Sequence, residues 1–274
     1  MLFSIITVCL NPGADLLPTV RSVLTQDSDD FELIIKDGGS TDGTECGTFV
    51  DTRLRFVSSP DAGIYDAMNQ ALALATGEFV CFLNAGDFFV DSTVLSDIAR
   101  FAGARGDTHL IYGDIFNAAG RAGYTIYPNR LSRLYLFKHM ICHQSWFVRR
   151  SVYLSYGGFE TQFVGASDYR LLLKMVVRDR LKYRHVPRVT AYYKGGGCSA
   201  NPTVFRQSLF AGEELRRQLF HPIEYMGFTL FWGLWTALKF CFYDHCAGAF
   251  WRRYQQFRYS RDRRLSQVAT DHDR

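Results

Sequence analysis

Residues 79–83, Phe-Val-Cys-Phe-Leu, form a short uncharged run bounded by Thr76-Gly77-Glu78 before it and by Ala85-Gly86 after it. A run of that length with no polar alternation fits a strand buried on both faces, as at the centre of a parallel sheet. Other apolar runs share the pattern. Residues 3–10 end at the breaker Asn11-Pro12-Gly13, residues 31–35 stop in a long Gly/Asp/Ser/Thr turn beginning Lys36-Asp37, and residues 55–58 precede Asp61-Ala62-Gly63. Between the runs, apolar residues recur at helical spacing: Leu16, Leu17, Val20, Val23 and Leu24, then Ile64, Ala67, Met68, Ala71, Leu72 and Ala75. The pattern further predicts a helix over about 92–101 and a strand over 110–112. Strands alternating with helices place the chain in the α/β class, with a mostly parallel central sheet and flanking helices.

Parallel strands bring their carboxyl ends to one edge, and ligands of open α/β sheets bind there. Acidic turns of this chain fall at those ends. Asn84 and Asp87 flank a glycine after the central run, and a carboxylate there could hold Mg²⁺ and, through it, phosphate oxygens. The plain alternative is that Asp87 caps the next helix. The Asp37 turn is rich in glycine, which allows close backbone approach to a ligand. It matches neither the dinucleotide Gly-x-Gly-x-x-Gly pattern nor a phosphate loop ending in Gly-Lys-Ser/Thr. Each turn alone also reads as an ordinary turn.

The ordered blocks Ser4-Ile-Ile-Thr-Val, Asp37-Gly-Gly-Ser-Thr-Asp-Gly-Thr, Asp61-Ala-Gly-Ile-Tyr-Asp-Ala-Met-Asn and Gly77-Glu-Phe-Val-Cys-Phe-Leu-Asn-Ala-Gly-Asp closely resemble the family 2 glycosyltransferases of GT-A fold. The likeness extends to Arg149-Arg150, Ser167-Asp168-Tyr169 and Gly195-Gly-Gly-Cys-Ser199, and is greatest to the exopolysaccharide branch that includes the colanic-acid type. It implies inverting transfer of a sugar from a nucleotide-diphosphate donor to an acceptor hydroxyl. By that resemblance Thr7 and Asn11 line the nucleotide pocket, Asp37 contacts the base, Asp61 and Gly63 lie along the ribose and diphosphate, and Asn84 and Ala85 border the donor. Asp87 is the implied ligand of Mg²⁺ or Mn²⁺. The family pattern at this strand end is Asp-x-Asp-Asp; here it is Asn84-Ala85-Gly86-Asp87, which leaves one carboxylate and keeps a metal-independent variant open. Asp168 occupies the place of the family's general base, where a carboxylate takes the acceptor proton, and the glutamate usually before it is missing.

His139, Cys142 and His143 lack a fourth ligand at zinc spacing. His143 reads instead as facing the acceptor or a phosphate, with a core histidine as the alternative. Lys194 and the glycines after it read as a loop able to close over the diphosphate, or as an ordinary turn.

The expected division is a catalytic domain over 1–203 and a helical C-terminal region over 204–274. Residues 225–238 are uncharged, about fourteen residues or 21 Å of helix, against a hydrocarbon core of about 30 Å. That favours a helix lying in a membrane interface, with Trp232, Trp235 and Trp251 at headgroup depth and the cluster Arg252, Arg253, Arg258, Arg261, Arg263 and Arg264 on anionic lipid. The competing reading is a helical hairpin that packs on the rest of the chain or forms an oligomer contact. A polyprenyl-linked saccharide acceptor would suit a membrane surface. The net charge of +4 gives no reason to expect a nucleic-acid partner. Seven cysteines without repeated spacing, with Cys9 and Cys81 inside apolar strands, suit a reducing cytoplasm. No basic residue precedes Arg21, unlike an ordinary signal peptide. The expected location is thus cytoplasmic, peripheral on the inner face of the membrane. Two other classes stay open: a nucleotide-sugar binding protein without turnover, and a nucleotidyltransferase. The latter would need an early basic phosphate loop, which the Asn11-Pro12-Gly13 turn does not supply.

Overall fold

The computed structural model describes residues 1–44, 51–103, 107–119, 122–197 and 201–242, the last six of these by backbone alone. Two compact units result, one of residues 1–131 and 140–213, the other of 132–139 with the chain from 214 onward.

The first unit holds one sheet of β1 (Phe3–Cys9), β2 (Phe31–Asp37), β3 (Leu54–Ser58), β4 (Phe79–Phe82), β5 (Phe88–Phe89), β6 (Leu110–Asn117), β7 (Gly123–Thr125), β8 (Trp146–Arg149) and β9 (Tyr183–Tyr193). The order is β3-β2-β1-β4-β8-β6-β9-β5, with β7 on β6. The half from β3 to β4 is parallel, as the sequence pattern predicts. Beyond it the sheet is mixed: β8 runs antiparallel to both β4 and β6, while β9 returns parallel to β6. The residues of β4 are essentially unexposed, as expected for a strand covered on both faces. Gly77 precedes it because a Cβ there would sit 2.5 Å from the backbone of Phe3 and Ser4.

Helices α1 (Leu16–Leu24) and α2 (Ile64–Leu74) bury the predicted stripes, Leu16, Val20 and Val23 in one and Ala67, Met68, Ala71 and Leu72 in the other. Helix α2 lies against β1 and β2, and α3 (Val94–Gly103) against β6 and β9. Two short helices follow in this unit, α5 (Arg150–Ser155) and α6 (Ser167–Leu173). The β6–β9 register shifts on both sides of Asp114, where β9 carries the additional residues Pro187, Arg188 and Thr190. A bulge is where a strand tolerates a proline. Past it, Tyr192 stacks between Phe88 (4.3 Å) and Phe116 (5.6 Å), which sets the end of β9 against β5.

In the second unit, α4 (Arg133–Lys138) starts at Ser132, whose hydroxyl accepts from Tyr135 N–H. Phe137 packs edge-on against Phe220, Tyr225 and Phe228, the last two on α8 (Pro222–Phe242), which follows α7 (Pro202–Leu219). Arg133 grips Glu224 through two hydrogen bonds, at 2.8 and 2.7 Å. Trp232, expected at headgroup depth, turns instead toward α4 and donates its indole N–H to Leu134 O. A half-buried indole does best with an acceptor for its N–H, and a carbonyl of the short helix α4 provides one. The outward stripe is Ile223, Met226, Leu230, Phe231, Leu234 and Trp235. Among the described residues no helix is long and apolar enough to cross a membrane. Trp251 and the arginines from 252 onward lie outside the described residues, as do Cys46, Cys198, Cys246 and the side chain of Cys241.

Candidate active site

At the carboxyl edge of the parallel half, two hollows meet at Ile64, Asn84, Ala85 and Gly197. One, of about 630 Å³, holds Tyr65, Asp87, His143 and Asp168; the other, of about 890 Å³, holds Asp15, Asp61 and Gly63.

Asp168 sits in the first turn of α6, 8% exposed. Its Oδ1 accepts from Tyr65 O–H (3.1 Å) and Tyr169 N–H (2.9 Å), and its Oδ2 faces His143 Nδ1 at 3.0 Å. Burial pushes this carboxyl up, but His143, Tyr169 N–H and Tyr65 together outweigh burial and hold it below the ordinary carboxylate range. An ionised carboxylate only accepts, so His143 Nδ1 carries its hydrogen. Asn84 Nδ2, 3.3 Å away, then donates to Nε2. Tyr65, facing the carboxylate from a buried position, has its own ionisation pushed far up.

The segment before α6 is braced from several sides. Asn69 donates to Phe159 O and accepts from Phe159 N–H. Glu160 receives Arg170 (3.0 Å) and Lys174 (2.7 Å), and Arg170 also lies 3.6 Å over the Phe163 ring. A buried guanidinium that finds a carboxylate, a ring face and the Ala211 carbonyl fixes the turn that presents Asp168.

Asp87 is 5% exposed, and each of its oxygens already has a donor: Lys194 N–H on Oδ1 and Gln144 Nε2 on Oδ2, both at 2.8 Å. Burial pushes its carboxyl above the ordinary value, beyond what those two donors take back. Beside it Asn84 Oδ1 is buried without a hydrogen-bond partner. Divalent cations of the Mg²⁺ kind want one or two available carboxylates. Here one engaged carboxylate stands beside a neutral amide, and among the described residues no three His, Cys, Asp or Glu side chains gather to hold a metal ion. That donor set fits Mg²⁺ or Mn²⁺ poorly. The same observation covers His139, Cys142 and His143 as a zinc set; Cys142 Sγ lies 2.5 Å from Gln144 Oε1.

Asp37 is almost wholly buried and spends its carboxylate on its own turn. It accepts from Gly39 and Ser40 N–H and from the hydroxyls of Ser40 and Ser58. Against burial, those bonds hold its ionisation below the ordinary range. Lys36, also buried, turns its ammonium to Asp37 O (2.9 Å), Ser59 O (2.5 Å) and Asp61 Oδ2 (3.2 Å), tying two strand-end turns together.

The predicted residues therefore divide. Asp61, Gly63, Asn84, Ala85, Asp87, His143 and Asp168 come together in the hollows. Thr7 does not face them: it is unexposed, and its hydroxyl donates to Leu83 O (2.8 Å), joining the ends of β1 and β4. Asn11 binds the Asp37 turn through Ser40 and Thr41, and Asp37 lines neither hollow but is linked to Asp61 through the Lys36 ammonium. Lys194 lines neither hollow, but its ammonium is 2.6 Å from Asp15, which lines the second. Lys36, Tyr65, Gln144 and Asp15 escaped sequence reasoning. For Lys36 a signal existed, a cation closing the apolar run Leu33-Ile34-Ile35. The partners of the others are 57 to 179 residues away, so spacing carries no trace of them.

Comparison with known proteins bears on the same segments. The profile described as "Glycosyl transferase family 2" matches residues 4–157. A PGL/p-HBAD biosynthesis glycosyltransferase of Mycobacterium tuberculosis is 34% identical over 215 residues, covering 76% of this chain and 82% of the relative. The Escherichia coli UDP-Glc:alpha-D-GlcNAc-diphosphoundecaprenol beta-1,3-glucosyltransferase WfgD is 25% identical over 222 residues, 79% of this chain and 83% of that protein. Among solved structures, S. aureus TarS 1-349 in complex with UDP-GlcNAc superposes with a TM-score of 0.59 at 18% identity. That match covers 73% of this chain and 61% of TarS 1-349, under two thirds of its length. The likeness is one of fold, the GT-A α/β architecture.

Proposed function

Since the chain belongs to glycosyl transferase family 2 and is a glycosyltransferase, we propose that it moves a sugar from a nucleoside-diphosphate donor to an acceptor hydroxyl with inversion at the anomeric carbon. The acceptor proposed is a lipid-linked saccharide of bacterial surface-polysaccharide synthesis. The observation that carries this is Asp168: an ionised carboxylate, aimed by His143 and Tyr65, in a hollow continuous with the strand-end turns. In that role Asp168 takes the acceptor proton while the acceptor oxygen forms the new bond and the diphosphate leaves from the opposite side. The unpartnered Asn84 Oδ1 would accept from a donor-sugar hydroxyl. Asp61 and Gly63 would border the nucleotide end. Support for the substrate classes comes from TarS, solved with UDP-GlcNAc, and from WfgD, named for an undecaprenyl-linked acceptor. Inversion is tested by NMR of the product linkage from a panel of nucleotide sugars and a prenyl-diphosphate saccharide. The opposite anomer relative to the donor is expected. Retention overturns the mechanism, and donor binding without turnover across the panel points to the inactive alternative.

We also propose that the outward stripe of α8 rests on a lipid surface. Its side chains Ile223, Met226, Leu230 and Leu234 are each more than 60% exposed, at a spacing that puts them on one face. The uncharged stretch is followed in sequence by six arginines between 252 and 264. Cosedimentation with vesicles containing a fifth phosphatidylglycerol should fall about tenfold or more for Leu230→Glu/Leu234→Glu. Unchanged vesicle binding, with dimer dissociation in the variant instead, would make the stripe a subunit contact.

A further inference from the structure

The strand end that ordinarily supplies metal-binding carboxylates is here Asn84-Ala85-Gly86, and Asp87 is engaged on both oxygens by Gln144 and the Lys194 backbone. Yet a departing diphosphate needs positive charge in front of it. A cation is at hand. The Lys194 N–H that binds Asp87 fixes the start of that side chain, and its ammonium reaches over Gly86 to Asp15, 2.6 and 2.7 Å from the two carboxylate oxygens. A Cβ on Gly86 would come 3.1 Å from Lys194 Cδ, so the glycine leaves the lysine its path. Asp15 lines the second hollow beside Asp61 and Gly63.

We propose that Lys194, not a divalent metal, neutralises the donor's diphosphate, and that Asp15 occupies the lysine as a stand-in anion until the donor arrives. The proposal deepens the donor reading above and rests on it. When the anomeric C–O bond breaks, its electron pair stays on the diphosphate oxygen, whose charge Lys194 meets. The acceptor oxygen supplies the new bond and its proton goes to Asp168. Asp87 is then a strut that holds the Lys194 backbone and Gln144. The lysine–Asp15 pair is half exposed, 50% and 44% for the two side chains, and such pairs exchange partners at little cost. A diphosphate, with more charge and more acceptor oxygens than one carboxylate, wins the exchange.

The test is titration calorimetry of UDP, GDP and dTDP against the full chain, in EDTA and again with Mg²⁺ or Mn²⁺. The nucleotide that binds should do so in EDTA within about threefold of its affinity with metal. Lys194→Met should weaken it about tenfold or more, and Asp15→Asn should tighten it severalfold, because the competing anion is gone. Both side chains are exposed enough for the variants to fold, and the opposite signs separate this exchange from damage to the loop. An affinity lost in EDTA, or one that neither substitution moves, overturns the proposal. Failure of the wild-type chain to bind any of the three with or without metal instead removes the donor reading beneath it.

Discussion

Replacing Asp168 by Asn is expected to lower sugar transfer by about 10²- to 10⁴-fold while leaving nucleoside-diphosphate affinity within about threefold, the range general bases contribute. The amide keeps the shape of the carboxylate. It can accept from Tyr65 and Tyr169 on one side; on the other, His143 can switch tautomer to accept from the new N–H₂ if the Asn84 amide turns its Oδ1 to the Nε2–H. What it loses is the ability to take a proton. Steady-state kinetics and calorimetry on the same preparation check both halves; retained turnover would place the base elsewhere. The sign of the pH effect follows from the depressed ionisation of Asp168. Its bonds contribute stability above the unfolded value, and that contribution fades as pH falls through the lower folded value. The wild-type carboxylate is therefore already ionised at neutral pH and needs no further activation. Asp168→Asn should flatten whatever part of the acid unfolding profile this group supplies.

Lys36→Met should destabilise the fold by about 3–5 kcal/mol, the usual result of leaving one partner of a buried ion pair alone. The ammonium, 1% exposed, serves two carbonyls and Asp61, itself 10% exposed. Methionine fills the space but donates nothing, so three acceptors lose their bond at once. Urea unfolding measures the loss. The double variant Lys36→Met/Asp61→Asn should recover part of it, because the stranded charge is then gone, and a simple sum of the two losses would contradict the pairing. Donor affinity should fall too, since the same ammonium holds the turns carrying Asp37 and Asp61 in place.

The parallel half of the sheet was legible because each of its strands is an uninterrupted apolar run closed by glycine and aspartate, with an amphipathic stripe between. The antiparallel insertion of β8 between β4 and β6 was not, since Trp146–Arg149 is a four-residue run whose neighbours lie far along the chain. Family blocks likewise located Asp61, Asn84 and Asp168 on one edge. They misassigned the surroundings of Thr7 and Asp37, whose polar atoms are consumed by the fold itself. Trp232 and Trp235 look alike in sequence. Only about 60° apart around a helix, one donates to α4 while the other stays 45% exposed, a difference that only the packing of the neighbouring helix sets.

The sequence determined the class of fold, the edge where ligands are received and the residue types that can act there, because periodicity and turn chemistry are local properties of the chain. Tertiary structure alone decided which of those side chains remain available. Whether a carboxylate is a strut, like Asp87, or aimed at a hollow, like Asp168, depends on donors brought from Lys194, Gln144, His143 and Tyr65, and hydrogen bonds between such distant residues exist only once the chain has closed on itself.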